Sequence, residues 1–145
     1  LALARRLDGF SNLRVITNGI KNAYLLSEFK GLTVMCAGGT IRPNSRSLVG
    51  LSTIEYLSRY NADIAFMSCR GFSIAGGATE ASEDECHIKK VFMQNSKKSI
   101  LLADSTKLDR EYLCKIAPLT QFTCVITEKQ DLNKRILGAL AAARM

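Results

Sequence analysis

The chain has 145 residues, 47% of them hydrophobic, and a formal net charge of +7 at pH 7. This length and apolar content suit one domain with a continuous core, so neither disulfides nor a structural metal are needed for folding. The positive charge is compatible with binding of a phosphate or another anion, but its scattered Lys and Arg residues exclude a basic nucleic-acid-binding arm.

Apolar runs alternate with amphipathic stretches along the chain, and each predicts a strand or a helix. The predicted strands are Leu13–Thr17, Leu32–Cys36, Asp63–Met67, Ser99–Ala103 and Thr123–Thr127. Helices are predicted at residues 1–8, 20–29, 51–60, 82–98, part of 108–116, and the C-terminal stretch from 132. Leu51, Ile54 and Leu57 are expected to face the core, as are Leu132, Ile136, Leu140 and Ala143.

This alternation predicts a single α/β domain, layered like a Rossmann fold, with a mostly parallel sheet and right-handed crossovers. The helix at 82–98 begins with a capping box, in which Ser82 is the N-cap and Glu85 lies three residues on. Residues 1–10 resemble the tail of a linker helix, so the chain is expected to be part of a longer protein. Two long segments without predicted helix, 37–50 and 68–81, are candidates for function.

The cysteines indicate a reducing compartment. Five occur, an odd number without CxxC spacing, together with a single histidine, His87. Free thiols are typical of the cytoplasm, and this scatter does not provide a zinc site. We therefore expect a cytoplasmic protein with neither a metal nor a cofactor.

Polar residues directly follow the fourth predicted strand, as Asp104-Ser105-Thr106-Lys107. Open parallel sheets bind ligands at the carboxyl ends of their strands, and a lysine beside hydroxyls suits a phosphorylated small molecule. The same residue types are also common in a simple turn or helix cap.

Two other predicted strands end in comparable residues. Thr17-Asn18-Gly19 precedes a helix, whose free N–H groups attract an anion, although simple N-capping is the alternative. In Gly38-Gly39-Thr40, the glycines permit either close approach of a ligand or a tight turn. Because parallel strands end at one edge of a sheet, the three loops together predict an anion pocket. Neither a dinucleotide fingerprint nor a Walker-type sequence is present.

Seven short motifs follow one another over nearly the whole chain: Thr17-Asn18, Gly38-Gly39-Thr40, Leu48-Val49-Gly50, Ala62-Asp63-Ile64-Ala65-Phe66, Gly76-Gly77-Ala78-Thr79, Glu85-Cys86-His87-Ile88-Lys89 and Leu102-Ala103-Asp104-Ser105-Thr106-Lys107. Their order and spacing resemble the C-terminal sensor domain of DeoR-family bacterial transcription regulators. The resemblance implies a fold similar to ribose-5-phosphate isomerase and glucosamine-6-phosphate deaminase. It also implies a phosphorylated sugar as effector, a homo-oligomer, and DNA binding only through a separate winged helix-turn-helix domain.

The resemblance also implies roles for individual residues. Thr17, Asn18 and Gly19 would cradle the phosphate or a sugar hydroxyl, and Gly38, Gly39 and Thr40 would line the same pocket. Asp104, Ser105 and Lys107 would hold the ligand from the fourth strand, with Lys107 as the cation.

Other charged residues are less clearly assigned. Arg42 and Arg46 are candidates for closing over the anion, with solvated loop charges as the alternative. Glu80 and Glu85 are candidates for contacts to sugar hydroxyls, although capping is the expected role of Glu85. Lys89 is expected on a solvated helix face rather than in the pocket.

One motif departs from the family pattern. After the third strand the family usually has Gly-x-Asp-Gly or a similar sequence, whereas this chain has Ser68-Cys69-Arg70-Gly71. A general base requires a carboxylate or a histidine, and arginine stays charged. Arg70 therefore argues against an isomerase or deaminase. Its side chain either adds an anion contact or points to solvent.

Besides a sensor and an enzyme, a third alternative for the function is an assembly module whose pocket has lost its ligand.

Overall fold

The computed structural model describes residues 1–128 together with Lys134, Ile136 and Gly138. The chain divides into two compact units, Leu1–Arg59 and Tyr60–Met145. Each combines helices with parallel strands, which confirms the predicted mixture of α and β structure.

The first unit contains a parallel strand pair. β1 (Leu13–Thr17) pairs with β2 (Leu32–Cys36), so that Thr17 lies opposite Cys36 at their carboxyl ends. The other elements of this unit are α1 (Ala2–Arg5), α2 (Ile20–Ser27), β3 (Thr40–Arg42), β4 (Ser47–Val49) and α3 (Leu51–Leu57). β3 and β4 form an antiparallel hairpin.

The described residues of the second unit form two three-stranded sheets, one parallel and one antiparallel. The parallel sheet consists of β5 (Ala62–Met67), β8 (Ser96–Leu102) and β10 (Cys124–Ile126), with β8 in the centre. The antiparallel sheet consists of β6 (Gly71–Ser73), β7 (Gly77–Glu80) and β9 (Cys114–Ala117), with β7 in the centre. α4 (Glu83–Gln94) connects β7 to β8.

The core of the second unit joins these two sheets and α4. Buried and exposed side chains alternate toward the end of β5, where Ala65 and Met67 are buried. They pack in one apolar cluster with Leu101 of β8, Phe72 of β6 and Cys86 of α4. This packing fixes the carboxyl ends of β5 and β8, from which the polar residues of the site extend.

The structure corrects several predicted elements. The antiparallel hairpins at residues 40–49 and 71–80 were not predicted. The helix predicted within 108–116 is wrong, because a 3-10 turn at Ser105–Lys107 is followed by irregular chain and then by β9. α4 ends at Gln94, so that Lys97 and Lys98 belong to β8 and do not close the helix.

Two side-chain predictions also require correction. Leu51 is 70% exposed and does not face the core, whereas Thr53 of the same helix is fully buried. Ser82 is the N-cap of α4, but its side chain makes no capping hydrogen bond within the described part of the chain. The predicted C-terminal helix lies outside the described residues except for Lys134, Ile136 and Gly138, which are helical, and Ile136 is buried in the core.

Candidate functional site

The polar residues after β8 form a hydrogen-bonded turn. Asp104 caps the 3-10 turn, and its carboxylate accepts hydrogen bonds from the Thr106 amide, at 3.2 Å, and from the Thr106 hydroxyl. Its other carboxylate oxygen lies 3.5 Å from Nζ of Lys107. The Thr106 hydroxyl and the Lys107 charge hold the pKa of Asp104 below its usual value. Asp104 therefore carries a negative charge at neutral pH.

Lys107 is directed toward the end of a neighbouring strand. Its Nζ donates to Oγ of Ser68, the residue after β5, at 2.9 Å. β5 and β8 are adjacent and parallel, so their carboxyl ends lie side by side. The Lys107 ammonium is consequently held between two strand ends by Ser68 and Asp104, where a ligand of the sheet edge would meet it.

A second lysine–carboxylate pair joins Glu80 of β7 to Lys89 of α4. The side chains of Glu80 and Lys89 are only 11% and 17% exposed. Lys89 therefore does not lie on a solvated helix face, and that prediction is wrong. A sequence pattern could have revealed this pair. A carboxylate lies at a strand end, and a lysine follows it about two helical turns further along the chain.

Both ion pairs act electrostatically on Cys69. Its side chain is buried, and burial raises the pKa of the thiol to about 11. Lys107 and Lys89 offset this rise in part, while Glu80 and Asp104 add to it. The thiol stays protonated at neutral pH, which makes it unsuited to nucleophilic attack.

Glu128, which sequence reasoning missed, supplies an anion to the same turn. The Ser105 amide donates to both of its carboxylate oxygens, each at 3.0 Å, and the Thr127 hydroxyl donates to one of them at 3.0 Å. Hydrogen bonds from the Ser105 hydroxyl and amide lower the pKa of Glu128 to about 2. No sequence pattern links it to Ser105, because the contact forms only when β10 pairs with β8.

In the first unit, the residues after β1 are tied to their own chain. The Thr17 hydroxyl accepts the Gly19 amide proton at 3.1 Å, and the Asn18 side chain donates to the Leu48 carbonyl at 3.0 Å. The Ile20 amide, at the start of α2, donates to the Arg46 carbonyl at 3.0 Å. Gly19 is the N-cap of α2, which has no side-chain capping hydrogen bond among the described residues, so simple capping by Thr17 or Asn18 is not observed and their role in anion binding stays a prediction.

Gly39 makes a tight turn after β2. Its φ is +137°, and a Cβ there would lie 2.0 Å from Oγ1 of Thr53. The Thr53 hydroxyl donates to the Gly38 carbonyl at 2.6 Å, which fixes the turn against α3. Thr40 then begins β3 with an exposed side chain, and Arg42 ends that strand.

Arg70 lies near an aromatic ring of its own unit. Its guanidinium carbon is 5.8 Å from the centre of the Tyr112 ring, the distance of a cation–π contact. Its amide donates to the Thr79 carbonyl at 3.0 Å, beside the start of β6. Arg70 thus has a contact that sequence reasoning did not anticipate.

The second unit therefore brings together Glu80, Asp104, Ser105 and Lys107, all predicted from the sequence. It adds Ser68, Cys69, Lys89 and Glu128. We call these residues the strand-end cluster: Ser68, Cys69, Glu80, Lys89, Asp104, Ser105, Lys107 and Glu128. The predicted convergence of this cluster with the loops of the first unit stays a prediction.

The described residues contain no group of three or more His, Cys, Asp or Glu side chains that could hold a metal ion. None of the described helices has the length and apolar character of a membrane-spanning helix.

Comparison with known proteins shows similarity to bacterial regulators. Residues 1–129 match the family model described as the DeoR C terminal sensor domain. The chain is 32% identical over 136 residues to the HTH-type transcriptional regulator GolR of Listeria innocua, covering 94% of this chain and 53% of that protein. It is 30% identical over 123 residues to the HTH-type transcriptional regulator IolR of Bacillus subtilis, covering 85% and 49%.

A further relative is named for a glycerol-3-phosphate regulon. The glycerol-3-phosphate regulon repressor of Escherichia coli is 25% identical over 127 residues, covering 88% of this chain and 50% of that protein. The chain thus spans about half the length of the curated relatives it matches.

Proposed function

The chain belongs to the family of DeoR C-terminal sensor domains, and from this membership we propose that it is the effector-binding part of a transcriptional regulator whose effector is a phosphorylated sugar. The effector binds at the carboxyl ends of the parallel strands. Its binding changes the affinity for DNA of a winged helix-turn-helix domain elsewhere in the regulator. We propose that the regulator acts in the cytoplasm. Such control requires that the effector bind one state of the regulator more tightly than another.

The observation that carries the proposal is the placement of Lys107. Ser68 and Asp104 fix the Lys107 ammonium between the ends of β5 and β8. An anionic ligand could therefore bind it without the entropy cost of ordering a long side chain. Glu80 and the hydroxyl of Ser105 supply hydrogen-bonding groups suited to sugar hydroxyls. A relative named for a glycerol-3-phosphate regulon supports a phosphorylated polyol as the class of effector.

Further support comes from the family's implied fold. We propose that the fold resembles that of ribose-5-phosphate isomerase and glucosamine-6-phosphate deaminase, and that the regulator forms a homo-oligomer. The roles in ligand binding that the resemblance implies for Thr17, Asn18, Gly39, Thr40 and Arg42 stay predictions.

We propose binding without turnover. By the resemblance to the family, Arg70 replaces an acid, and it contacts Tyr112. Glu80 and Asp104 are each paired with a lysine, and the Cys69 thiol is protonated at neutral pH. These groups suit recognition of a ligand better than transfer of a proton.

Thermal melting with a panel of compounds tests the proposal. The panel contains glycerol 3-phosphate, ribose 5-phosphate and glucosamine 6-phosphate, each beside its unphosphorylated partner. A ligand at a concentration of about 100 times its Kd stabilises the fold by about 2.7 kcal/mol, which raises Tm by several degrees. We expect at least one phosphate ester to do so while its partner does not. If every ester and its partner leave Tm equally unchanged, the proposal fails.

A further inference from the structure

Two cysteines of the second unit belong to elements that pack together. Cys86 of α4 is buried and Cys114 of β9 is half-buried, and both are free thiols. Sγ of Cys86 donates to the carbonyl of Lys115, the residue after Cys114, at 3.2 Å. Side chains alternate along β9, so Cys114 lies on the same face as Ile116, which is buried in one apolar cluster with Cys86. Cys114 packs against that cluster, so both thiols lie where α4 covers β9.

A neighbouring ion pair fixes how α4 lies over these strands. Glu80 of β7 is the register partner of Cys114, so the two side chains are neighbours across the strands, with Cβ atoms about 5 Å apart. In α4, Cys86 and Lys89 are three residues apart and lie one turn apart on one face of the helix. Lys89 contacts Glu80 directly. Cys86, one turn earlier in the helix, therefore lies over the adjacent strand and within reach of Cys114. The two thiols also interact electrostatically, because burial raises the pKa of Cys86 and Cys114 adds to that rise.

We propose that Cys86 and Cys114 form a reversible disulfide when the chain meets an oxidant of the disulfide class, such as oxidised glutathione, and that this bond ties α4 to β9. Under reducing conditions both residues stay thiols, as they are in this structure. Lys89 lies one turn from Cys86, so the bond fixes the helix that carries one lysine of the strand-end cluster. The inference is independent of the proposed function, because it concerns the packing of α4 on β9 and involves no effector.

The exchange begins at Cys114, because its half-buried thiol is more accessible to oxidised glutathione than the buried thiol of Cys86. The Cys114 thiolate attacks one sulfur of the glutathione disulfide. The old S–S bond breaks, a mixed disulfide forms on Cys114, and one glutathione leaves. The Cys86 thiolate then attacks the Cys114 sulfur and releases the second glutathione. Two cysteines are oxidised, one glutathione disulfide is reduced to two thiols, and the two cysteine protons end on those thiols.

Peptide mapping of the folded chain after incubation with oxidised glutathione tests the inference. Remaining thiols are alkylated, and trypsin then releases Cys86 in residues 71–89 and Cys114 in residues 111–115, so the disulfide is detected as one linked pair of peptides. We expect this pair in the wild type, and equally in Cys124→Ser, which removes an exposed thiol elsewhere. A dithiol reductant should abolish it. Glutathione adducts on Cys124 without the linked pair, or a link from Cys86 to another cysteine, would overturn the inference.

Thermal melting of the same samples shows whether the bond fits the native packing of α4 on β9. The oxidised wild type should melt several degrees above the reduced protein, because a disulfide restricts the unfolded chain. Cys114→Ser keeps the shape of the side chain but cannot form the bond, so oxidised glutathione should not raise its Tm. An unchanged or lower Tm for the oxidised wild type, or the same rise in Cys114→Ser, contradicts the proposal.

Discussion

The ammonium of Lys89 on α4 is paired with the carboxylate of Glu80 at the end of β7, and both side chains are almost completely out of water. The pair joins the helix to the antiparallel sheet next to the buried Cys69 thiol. A buried charge whose partner is removed keeps its desolvation cost without the compensating attraction. The two residues therefore stabilise the fold only as a pair.

Removal of the lysine alone should destabilise the protein strongly. We expect Lys89→Met to lower the free energy of unfolding by about 2–4 kcal/mol, because Glu80 is left buried and unpaired. The double variant Glu80→Gln/Lys89→Met should recover part of this loss. Urea denaturation measures both values.

The matched control is Lys97→Met. Lys97 pairs with Asp63 on the surface, where the two side chains are 77% and 85% exposed. Exposed pairs contribute little to stability, so this variant should unfold like the wild type. Equal losses for Lys89→Met and Lys97→Met would show that the Glu80–Lys89 pair is not buried in solution.

The turn after β2 should not tolerate a side chain at Gly39. Gly39→Ala places a methyl group 2.0 Å from Oγ1 of Thr53 and 2.8 Å from the Val49 carbonyl, at a φ of +137°. We expect a loss of about 2–4 kcal/mol in the free energy of unfolding. Gly38→Ala is the control, because a Cβ at Gly38 meets nothing within 4 Å. A Tm for Gly39→Ala as high as that of Gly38→Ala would contradict the described turn.

Alkaline pH should remove a contribution of Cys69 to the free energy of unfolding. Burial raises the pKa of its thiol from the usual 9.0 to about 11. The unfolded chain therefore loses this proton at lower pH than the folded chain, so the contribution is complete below pH 9 and disappears as pH rises through about 11. The difference in unfolding free energy between wild type and Cys69→Ala should shrink between pH 8.5 and 10.5, values at which urea denaturation is run. A constant difference would mean that the thiol is not buried.

Native thiol labelling should distinguish the cysteines by exposure. Cys36 and Cys124 are exposed, whereas Cys69 and Cys86 are buried. An alkylating reagent at pH 8, followed by mass spectrometry of peptides, should modify the exposed pair first and reach the buried pair only in denaturant. Rapid labelling of Cys69 without denaturant would contradict the packing of the strand-end cluster.

The sequence predicts the parallel strands well because each is an apolar run bounded by turn residues. Leu32–Cys36 is observed with the predicted bounds, and the strand predicted at Asp63–Met67 begins one residue earlier, at Ala62. The strands of three residues in β3, β4 and β6 are too short to show an alternating pattern. They form because pairing with a neighbouring strand satisfies the hydrogen bonds of their backbone N–H and C=O groups. A local sequence pattern does not reveal that pairing.

Apart from Glu80, the residues of the candidate site were predictable only where they are consecutive in the sequence. Asp104, Ser105 and Lys107 follow a recognisable strand, so their common location could be inferred. The Glu80–Lys89 pair and the contact of Glu128 with Ser105 depend on how distant segments pack. A lysine on a helix is usually solvated, and only the tertiary structure shows that Lys89 is not.

If Lys107 binds the phosphate of a sugar effector, calorimetric titration of Lys107→Met with an ester from the panel should show weaker binding. The control is Lys98→Met, which removes an exposed lysine from the same strand, β8. Loss of a hydrogen bond to a charged group should weaken binding by at least about 10-fold in Lys107→Met. Wild type and Lys98→Met should bind the ester equally, and its unphosphorylated partner much more weakly. Undiminished binding by Lys107→Met, or equal affinity of the wild type for the ester and its partner, would contradict the claim.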